Sequence, residues 1–392
     1  MIHKRWCDFS IPSLYLCKLE INRKPVMTLL ALFLLIGLIS VVCGSVLSSI
    51  TFQLILELAP KLEKAGLSGR DLNKAVSEKI PEDGGLGPSL MFLLTISLWS
   101  LIIPRSSTLL SAGFSIMASS FLGFVDDVVN LRWRYKLIVP SITLLPLVGA
   151  YSGSGLSLGP LQLTYPITKL YCLLFAIFSQ NAVNIYAGIN GLEVGQSIIA
   201  CTFLLPVVLY KLYVALDTTH QAEHLSLWQR LLSHPSLLSS LIIIVCFLAV
   251  SHPVYLLNRY PSRVFVGDIY AYFAGSVFAS ACILSDTLVA GPLLFLPQIL
   301  NFVLSVPQLF GIVPCPRHRL PRFSQEHGTL TGVATHLNLI NQYLRVRGPL
   351  SEKRLCHELL SIQAIISTLV ILFFMLARGK SEITFVGVYR KL

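Results

Sequence analysis

The chain has 392 residues, 54% hydrophobic and only 12% charged, with 30 lysines and arginines against 19 acids and a formal net charge of +11. So apolar a composition excludes a soluble globule. The basic balance does not imply nucleic acid, because no basic helix, RNA-binding signature or interleaved aromatic platform accompanies it.

The first 25 residues are polar, basic and aromatic, with no signal-peptide hydrophobic core before Met27. No cleaved signal is expected, and the stretch reads as an N-terminal extension to one membrane-embedded domain at 26–392. The apolar runs predict an all-α polytopic membrane protein with about ten transmembrane helices. They fall near 27–56, 87–104, 108–125, 137–152, 165–183, 194–214, 236–257, 265–284, 287–311 and 362–377. The longest polar stretch, 312–361, links the last two and is the one candidate for an extramembrane subdomain. The nine cysteines are scattered and form no Cys-x-x-Cys pair. They read as small buried hydrophobes, with no zinc site and no disulfide framework.

With ten spans, the loops at 57–86, 126–136, 184–193, 258–264 and 312–361 share one side. They hold more than half of the 30 lysines and arginines. The positive-inside rule assigns that side to the cytosol, although Lys18, Arg23 and Lys24 then lie awkwardly on the far side.

Four polar interruptions fall on that face. Asp126 and Asp127 follow an apolar run and precede Asn130, Trp133 and Lys136. Acids at membrane helix ends are costly to desolvate and are functional candidates by default, against the plainer reading of a solvated helix end. Adjacent carboxylates on a helix point about 100° apart, so the two serve different partners. Lys136 is a mobile point charge suited to a phosphate, or else a topology anchor. The second interruption, Asn181 to Glu193, carries Asn184, Gly188, Asn190 and Gly191. Asn184 offers an amide oxygen to a hard cation such as Mg²⁺, and the glycines admit close backbone approach, though Asn and Gly are also ordinary turn residues. In the third, Asp268 follows Gly267, with Phe265 near enough to stack on a base; the alternative is a plain N-cap. The fourth, Pro314 to Arg322, stiffens Arg317, His318 and Arg319. Its guanidinium forks suit diphosphate or sugar oxygens, or anionic lipid.

In this order, together with Asp71-Leu72-Asn73-Lys74 and Ile80-Pro81-Glu82 in the first polar loop, the motifs resemble the polyprenyl-phosphate N-acetylhexosamine-1-phosphate transferase family from about residue 27 onward. The Arg317-His318-Arg319 triplet resembles its eukaryotic branch. The resemblance implies Asn184 and Asp268 as Mg²⁺ ligands, and Asp126, Asp127 and Lys136 as the catalytic group. It implies substrate contacts from Asp71, Leu72, Glu82, Asn130, Trp133, Gly188, Asn190, Phe265, Arg317, His318 and Arg319. The implied reaction moves N-acetylglucosamine-1-phosphate from UDP-N-acetylglucosamine to dolichyl phosphate and releases UMP. The implied setting is the endoplasmic reticulum membrane, multi-pass, with the active site facing the cytosol and membrane lipid as a partner. Oligomeric state stays open, a homodimer among the options, as does whether Asp127 takes a proton or only positions. The segment between Arg322 and Asn338 is short for the family, and the N-terminal extension has no counterpart in it. Two rivals stand beside this reading. One is a related transferase with another sugar donor or polyprenyl acceptor. The other is a secondary transporter, which would place its polar sites near the bilayer midplane between two similar halves.

Overall fold

In lipid every backbone N–H and C=O needs a partner within the chain, so long apolar runs resolve into helices. The computed structural model describes residues 23–75, 78–104, 106–132, 134–158, 161–218, 225–316 and 318–377. The predicted extension therefore lies outside the described residues up to residue 22. The chain divides into two units, Met1–Leu38 and Ile39–Leu392. The described part of the first is helical; everything below concerns the second.

In chain order the elements are α1 (Arg23–Lys64), β1 (Ser68–Arg70), β2 (Lys79–Pro81), α2 (Leu86–Ile102), α3 (Ser107–Val129), α4 (Tyr135–Thr143) and α5 (Leu145–Gly149). Then come β3 (Ser157–Leu158), β4 (Leu161–Gln162), α6 (Tyr165–Ile185), α7 (Leu192–Thr218), α8 (Leu227–Leu232), α9 (Pro235–Asn258) and α10 (Gly267–Leu284). The last are α11 (Ala290–Leu294), α12 (Leu296–Leu309), β5 (Arg322–Ser324), β6 (Thr329–Thr331), α13 (Leu339–Arg347) and α14 (Glu352–Ala377). Among the described residues, strand is confined to three two-stranded antiparallel hairpins.

Six helices among the described residues are long and apolar enough to cross a membrane: Cys43–Lys64 of α1, α3, Leu192–Asp217 of α7, α9, α10 and Glu352–Met375 of α14. The shorter α2, with 17 residues, is also apolar. This is a helical, multi-pass membrane protein, but the expected count of about ten spans is not confirmed among the described residues. The reasons are local. The stretches expected at 137–152 and 287–311 are each broken in two, at Leu144 and Phe295. Pro146 and Pro297 lack an N–H and press their rings on the carbonyl one turn back. Helix α6 has 21 residues, but Lys169, Gln180, Asn181 and Asn184 dilute its hydropathy.

Helix α10 is the axis of the bundle, with every residue from Ile269 to Leu284 buried. Its small residues let neighbouring backbones close in. A Cβ on Gly275 would run into the backbone of Ser179 and Gln180 on α6, and one on Gly123 of α3 would sit 2.6 Å from the Asp268 carbonyl oxygen. Lipid offers no hydrophobic drive between helices, so such close packing is what holds them. Aromatic side chains fill the remaining space. Phe273 meets Phe92 and Phe247 at centroid distances of 5.1 and 5.5 Å, and Phe278 stacks on Phe295 at 4.0 Å. On the outside, Leu98, Leu101, Phe114, Phe121, Ile142 and Leu174 are each more than half exposed. That is the surface a hydrocarbon phase covers.

A buried amide clasp ties three further helices. Gln298 of α12 donates to Gln196 of α7 at 2.8 Å and to Gln363 of α14 at 3.0 Å. Gln196 donates in turn to the carbonyls of Val183 and Tyr186, which the end of α6 leaves without helical partners. Inter-helix hydrogen bonds of this kind are worth about 0.6 kcal/mol each. Beyond α12, the β5–β6 hairpin and α13 fold back onto the α6–α7 turn. Leu330, Ile340 and Leu344 pack there with Tyr186, Ile189, Leu355 and Leu359.

Candidate active site

The charged centre forms where α3 ends and α10 begins. Helix α3 stops at Asn130, which takes a left-handed conformation (φ 53°) and returns its N–H to the Asp126 carbonyl at 2.8 Å. The reversal brings α4 back alongside. Buried Asp126 accepts the Leu131 N–H on Oδ1 at 2.9 Å, and its Oδ2 is ion-paired with Lys136. Lys136 also reaches Asp268 at 3.9 Å. Asp127 turns the other way, accepting the Ile269 N–H at 3.2 Å. That amide belongs to the first turn of α10, where N–H groups lack helical partners and favour anions. The two adjacent acids thus do serve different partners, and Asp268 lies beside both.

Asn184 sits half-buried near the end of α6. Contacts step from Gly275–Gln180 to Phe278–Phe175, so α6 and α10 run antiparallel and their polar ends, Asn184 and Asp268, lie toward the same end of the bundle. Among the described residues the Asn184 amide has no hydrogen-bond partner.

A second group surrounds Phe265. The segment before α10 pairs with the exit of β2, with Phe265 N–H on the Pro81 carbonyl at 2.8 Å and Gly84 N–H on the Phe265 carbonyl at 2.9 Å. The Phe265 ring lies over Gly69 with Glu82 beside it. Burial pushes the Glu82 carboxyl above its ordinary range. Leu72 is 53% exposed, so this loop offers apolar surface at its tip.

Other predicted contacts are committed to one another. Asp71 accepts from Lys74 at 2.7 Å and from the Asn190 amide at 3.0 Å, while the Asn190 N–H goes to Glu352 at 2.8 Å. Asn73 donates to the Gly188 carbonyl at 2.9 Å. Burial pulls Lys74 down, yet Asp71 and Glu352 more than offset it and hold the ammonium above the usual lysine value. The Asp71 and Asn190 side chains and the Gly188 carbonyl therefore lock the first loop to the α6–α7 turn and to α14. Arg319 is half-buried, donates to the Leu337 carbonyl at 3.3 Å, and is pulled below the usual arginine range by burial. Its own carbonyl is gripped by Asn338 and Asn341, which fixes the backbone there. His318 is exposed. Trp133 and Arg317 lie outside the described residues.

Three residues here take no role from the sequence alone, Lys74 among them although it stands in the first-loop motif. Lys74 and Glu352 act through contacts distant in sequence. Asp83, fully buried, adjoins Glu82, so it carries the same tandem-acid signal that marks Asp126 and Asp127. Burial pushes the Asp83 carboxyl up; a hydrogen bond with Asp127 works against it, and the charges of Glu82 and Asp268 add to the rise. A surface cavity of about 510 Å³ beside Tyr343, Lys353, Arg354 and His357 involves none of these groups, and the convergent carboxylates mark the chemistry better than that hollow does.

Carboxylates, an amide and a lysine thus share one end of a helical membrane bundle, an arrangement suited to phosphorylated substrates. A family model described as glycosyl transferase family 4 matches residues 109–286. The chain is 40% identical to the UDP-N-acetylglucosamine–dolichyl-phosphate N-acetylglucosaminephosphotransferase of Dictyostelium discoideum over 81% of this chain and 84% of that one. Relatives with the same name in Saccharomyces cerevisiae and Schizosaccharomyces pombe are 31% and 33% identical, over 82% and 74% of this chain and 87% and 71% of their own. The chain belongs to this family of UDP-N-acetylglucosamine–dolichyl-phosphate N-acetylglucosaminephosphotransferases.

Proposed function

We propose that the chain transfers N-acetylglucosamine-1-phosphate from UDP-N-acetylglucosamine to dolichyl phosphate, giving N-acetylglucosaminyl-diphosphodolichol and UMP, the first step of lipid-linked oligosaccharide assembly. The observation that carries the site assignment is Lys136, paired with Asp126 and within 3.9 Å of Asp268. It is a cation held at a membrane-end carboxylate cluster and suited to an acceptor phosphate. An acceptor phosphate oxygen bonds to the β-phosphorus of the donor, the bridging P–O bond breaks, and UMP leaves with its electron pair. A phosphomonoester is already mostly dianionic at neutral pH, its second pKa being about 6. The barrier is therefore chiefly repulsion between anions, which positioning and charge compensation lower. Lys136 draws in the acceptor phosphate, Asp126 fixes Lys136, and Asp127, at the end of α3, accepts from the first turn of α10 and keeps that helix start in register. Phe265 and Glu82 form a face and an acceptor suited to uracil, and Arg319 a fork suited to the diphosphate or the sugar.

Among the described residues no three His, Cys, Asp or Glu side chains converge as a ready-made metal cage. Mg²⁺ does not need one, since it keeps several waters and is bound by one or two carboxylates together with substrate phosphates. The donor set fits: Asp268 and Asn184 offer hard oxygens, and among the described residues Asn184 has no other partner. When bound there, Mg²⁺ would neutralise diphosphate charge. We place the reaction at the endoplasmic reticulum, on the cytosolic side where the lysine- and arginine-rich loops lie.

The test is release of UMP by purified protein from UDP-N-acetylglucosamine and dolichyl phosphate, with and without Mg²⁺. Asp268→Asn and Asn184→Ala are expected to lose nearly all turnover. More than half of the wild-type kcat in either variant at saturating Mg²⁺ would remove these ligands, and no Mg²⁺ dependence would remove the metal.

A further inference from the structure

Asp83 is fully buried, and its backbone takes a left-handed conformation (φ 59°) that L-residues other than glycine enter at a cost of about 1–2 kcal/mol. Backbone pairing fixes it there: Gly84 and Gly85 donate to the carbonyls of Phe265 and Val266, which brings Asp83 against Gly267. A Cβ on Gly267 would strike Asp83 Oδ1 and lie 2.8 Å from Asp127 Oδ2, so the two carboxylates meet across a residue that only glycine suits (φ 71°). Among the described residues neither Asp83 oxygen has a hydrogen-bond donor apart from the Asp127 carboxyl when that is protonated. A buried polar group without a partner is strongly destabilising, and a charged one more so.

The charge is lopsided. Asp83, Asp126, Asp127 and Asp268 gather at this helix end, and Lys136 is engaged with Asp126 and Asp268. Among the described residues the Asp83–Asp127 pair has no ion-paired cation. Facing carboxylates must share either a proton or a cation. We propose that Asp83 is an additional acidic ligand of the divalent cation at this centre, bound directly or through a coordinated water. This rests on the Mg²⁺ reading given above. It explains why two buried carboxylates face each other here, since the bound cation removes both the repulsion and the unsatisfied charge.

The experiment uses the purified full-length protein in detergent with Mn²⁺ as probe, free Mn²⁺ being read by electron paramagnetic resonance. Asp83→Asn and Asp83→Ser are compared with wild type and Asp268→Asn, without and with UDP-N-acetylglucosamine. Thermal unfolding is followed with and without Mn²⁺. Both Asp83 variants are expected to bind Mn²⁺ at least tenfold more weakly. Without metal, Asp83→Asn is expected to unfold at or above the wild-type temperature, because the amide removes one of two facing charges and donates to Asp127. With Mn²⁺ it should gain less, since stabilisation by a ligand follows its affinity. Wild-type Mn²⁺ affinity in the Asp83 variants, alongside loss in Asp268→Asn, would overturn this inference alone and leave a shared proton as the explanation. No Mn²⁺ binding by wild type, either alone or with UDP-N-acetylglucosamine added, would overturn the cation reading and this inference together.

Discussion

At Arg319 the kind of cation matters as well as its sign. One N–H is spent on the Leu337 carbonyl, and the half-buried guanidinium keeps further donors in a rigid fork. Lysine keeps the charge and loses the fork. Arg319→Lys is expected to lower kcat/KM for UDP-N-acetylglucosamine at least tenfold, or about 1.4 kcal/mol, while the protein still inserts. Wild-type kinetics would instead make the residue a contact for anionic lipid. Lys74 works through structure. It joins Asp71 to Glu352, so Lys74→Ala leaves two buried carboxylates without their cation, at a cost of about 1–3 kcal/mol. The unfolding temperature should fall at neutral pH. Because the folded pKa of Lys74 lies above its usual 10.5, the stabilisation is fully present below that value. It is lost as pH rises through the folded pKa, so the gap between wild type and variant should close only at strongly alkaline pH. An unfolding temperature unchanged at pH 7 would mean that the ion pairs contribute nothing.

At the scale of elements, the site depends on how closely α3 meets α10. Gly123 lies one turn before Asp126 and Asp127, against the Asp268 carbonyl. Gly123→Ala forces a methyl into that contact and should cost about 1–3 kcal/mol of stability. Displacement of the reacting groups by as little as 1 Å can cost about 100-fold in rate, so kcat should fall at least tenfold while UDP affinity, measured by calorimetry, changes little. Equal losses in both would point to general unfolding. The same elements show what a sequence discloses. Helices α3, α9 and α10 were legible because continuous apolar runs have few other solutions in lipid, and Asp126, Asp127 and Asp268 because charge stands out at the ends of such runs. The breaks at Leu144 and Phe295 were foreshadowed by Pro146 and Pro297, but hydropathy averaged across them hid the interruption. The start of α14 at Glu352 was hidden because its first turn is charged and its role is tertiary: Glu352 holds the Asn190 N–H and Lys74. Asp83 carries a tandem-acid signal with Glu82, but only the approach of Gly267 and Asp127 distinguishes it from an acid in a turn.

At the scale of the whole molecule, the site segments converge on one end of the bundle. Asn73 meets Gly188, Asp71 meets Asn190, Gly191 donates to Asn258, Gly84 pairs with Phe265, and Leu320 lies against Gly188. The opposite end has its own polar lock, in which Lys211 donates to the Asp286 carbonyl at 2.7 Å and Tyr151 to the Asp286 carboxylate at 2.7 Å. A water-soluble nucleotide sugar can reach only the end that faces its own compartment, so sidedness is a functional property of this fold. Gln325, exposed between β5 and β6, reports on the site end, and Gln162, exposed in β4 just before α6, reports on the other. Each would be changed to cysteine in a background where Cys7, Cys17, Cys43 and Cys315 are serine, since Cys43 and Cys315 are the exposed cysteines among the described residues. In intact right-side-out microsomes an impermeant maleimide is expected to label Gln325→Cys at once and Gln162→Cys only after detergent. The reverse pattern would turn the active site toward the lumen and overrule the bias of lysine and arginine among the loops. Labelling of both before detergent would mean that the polar lock at Asp286 does not lie across the membrane from the carboxylates.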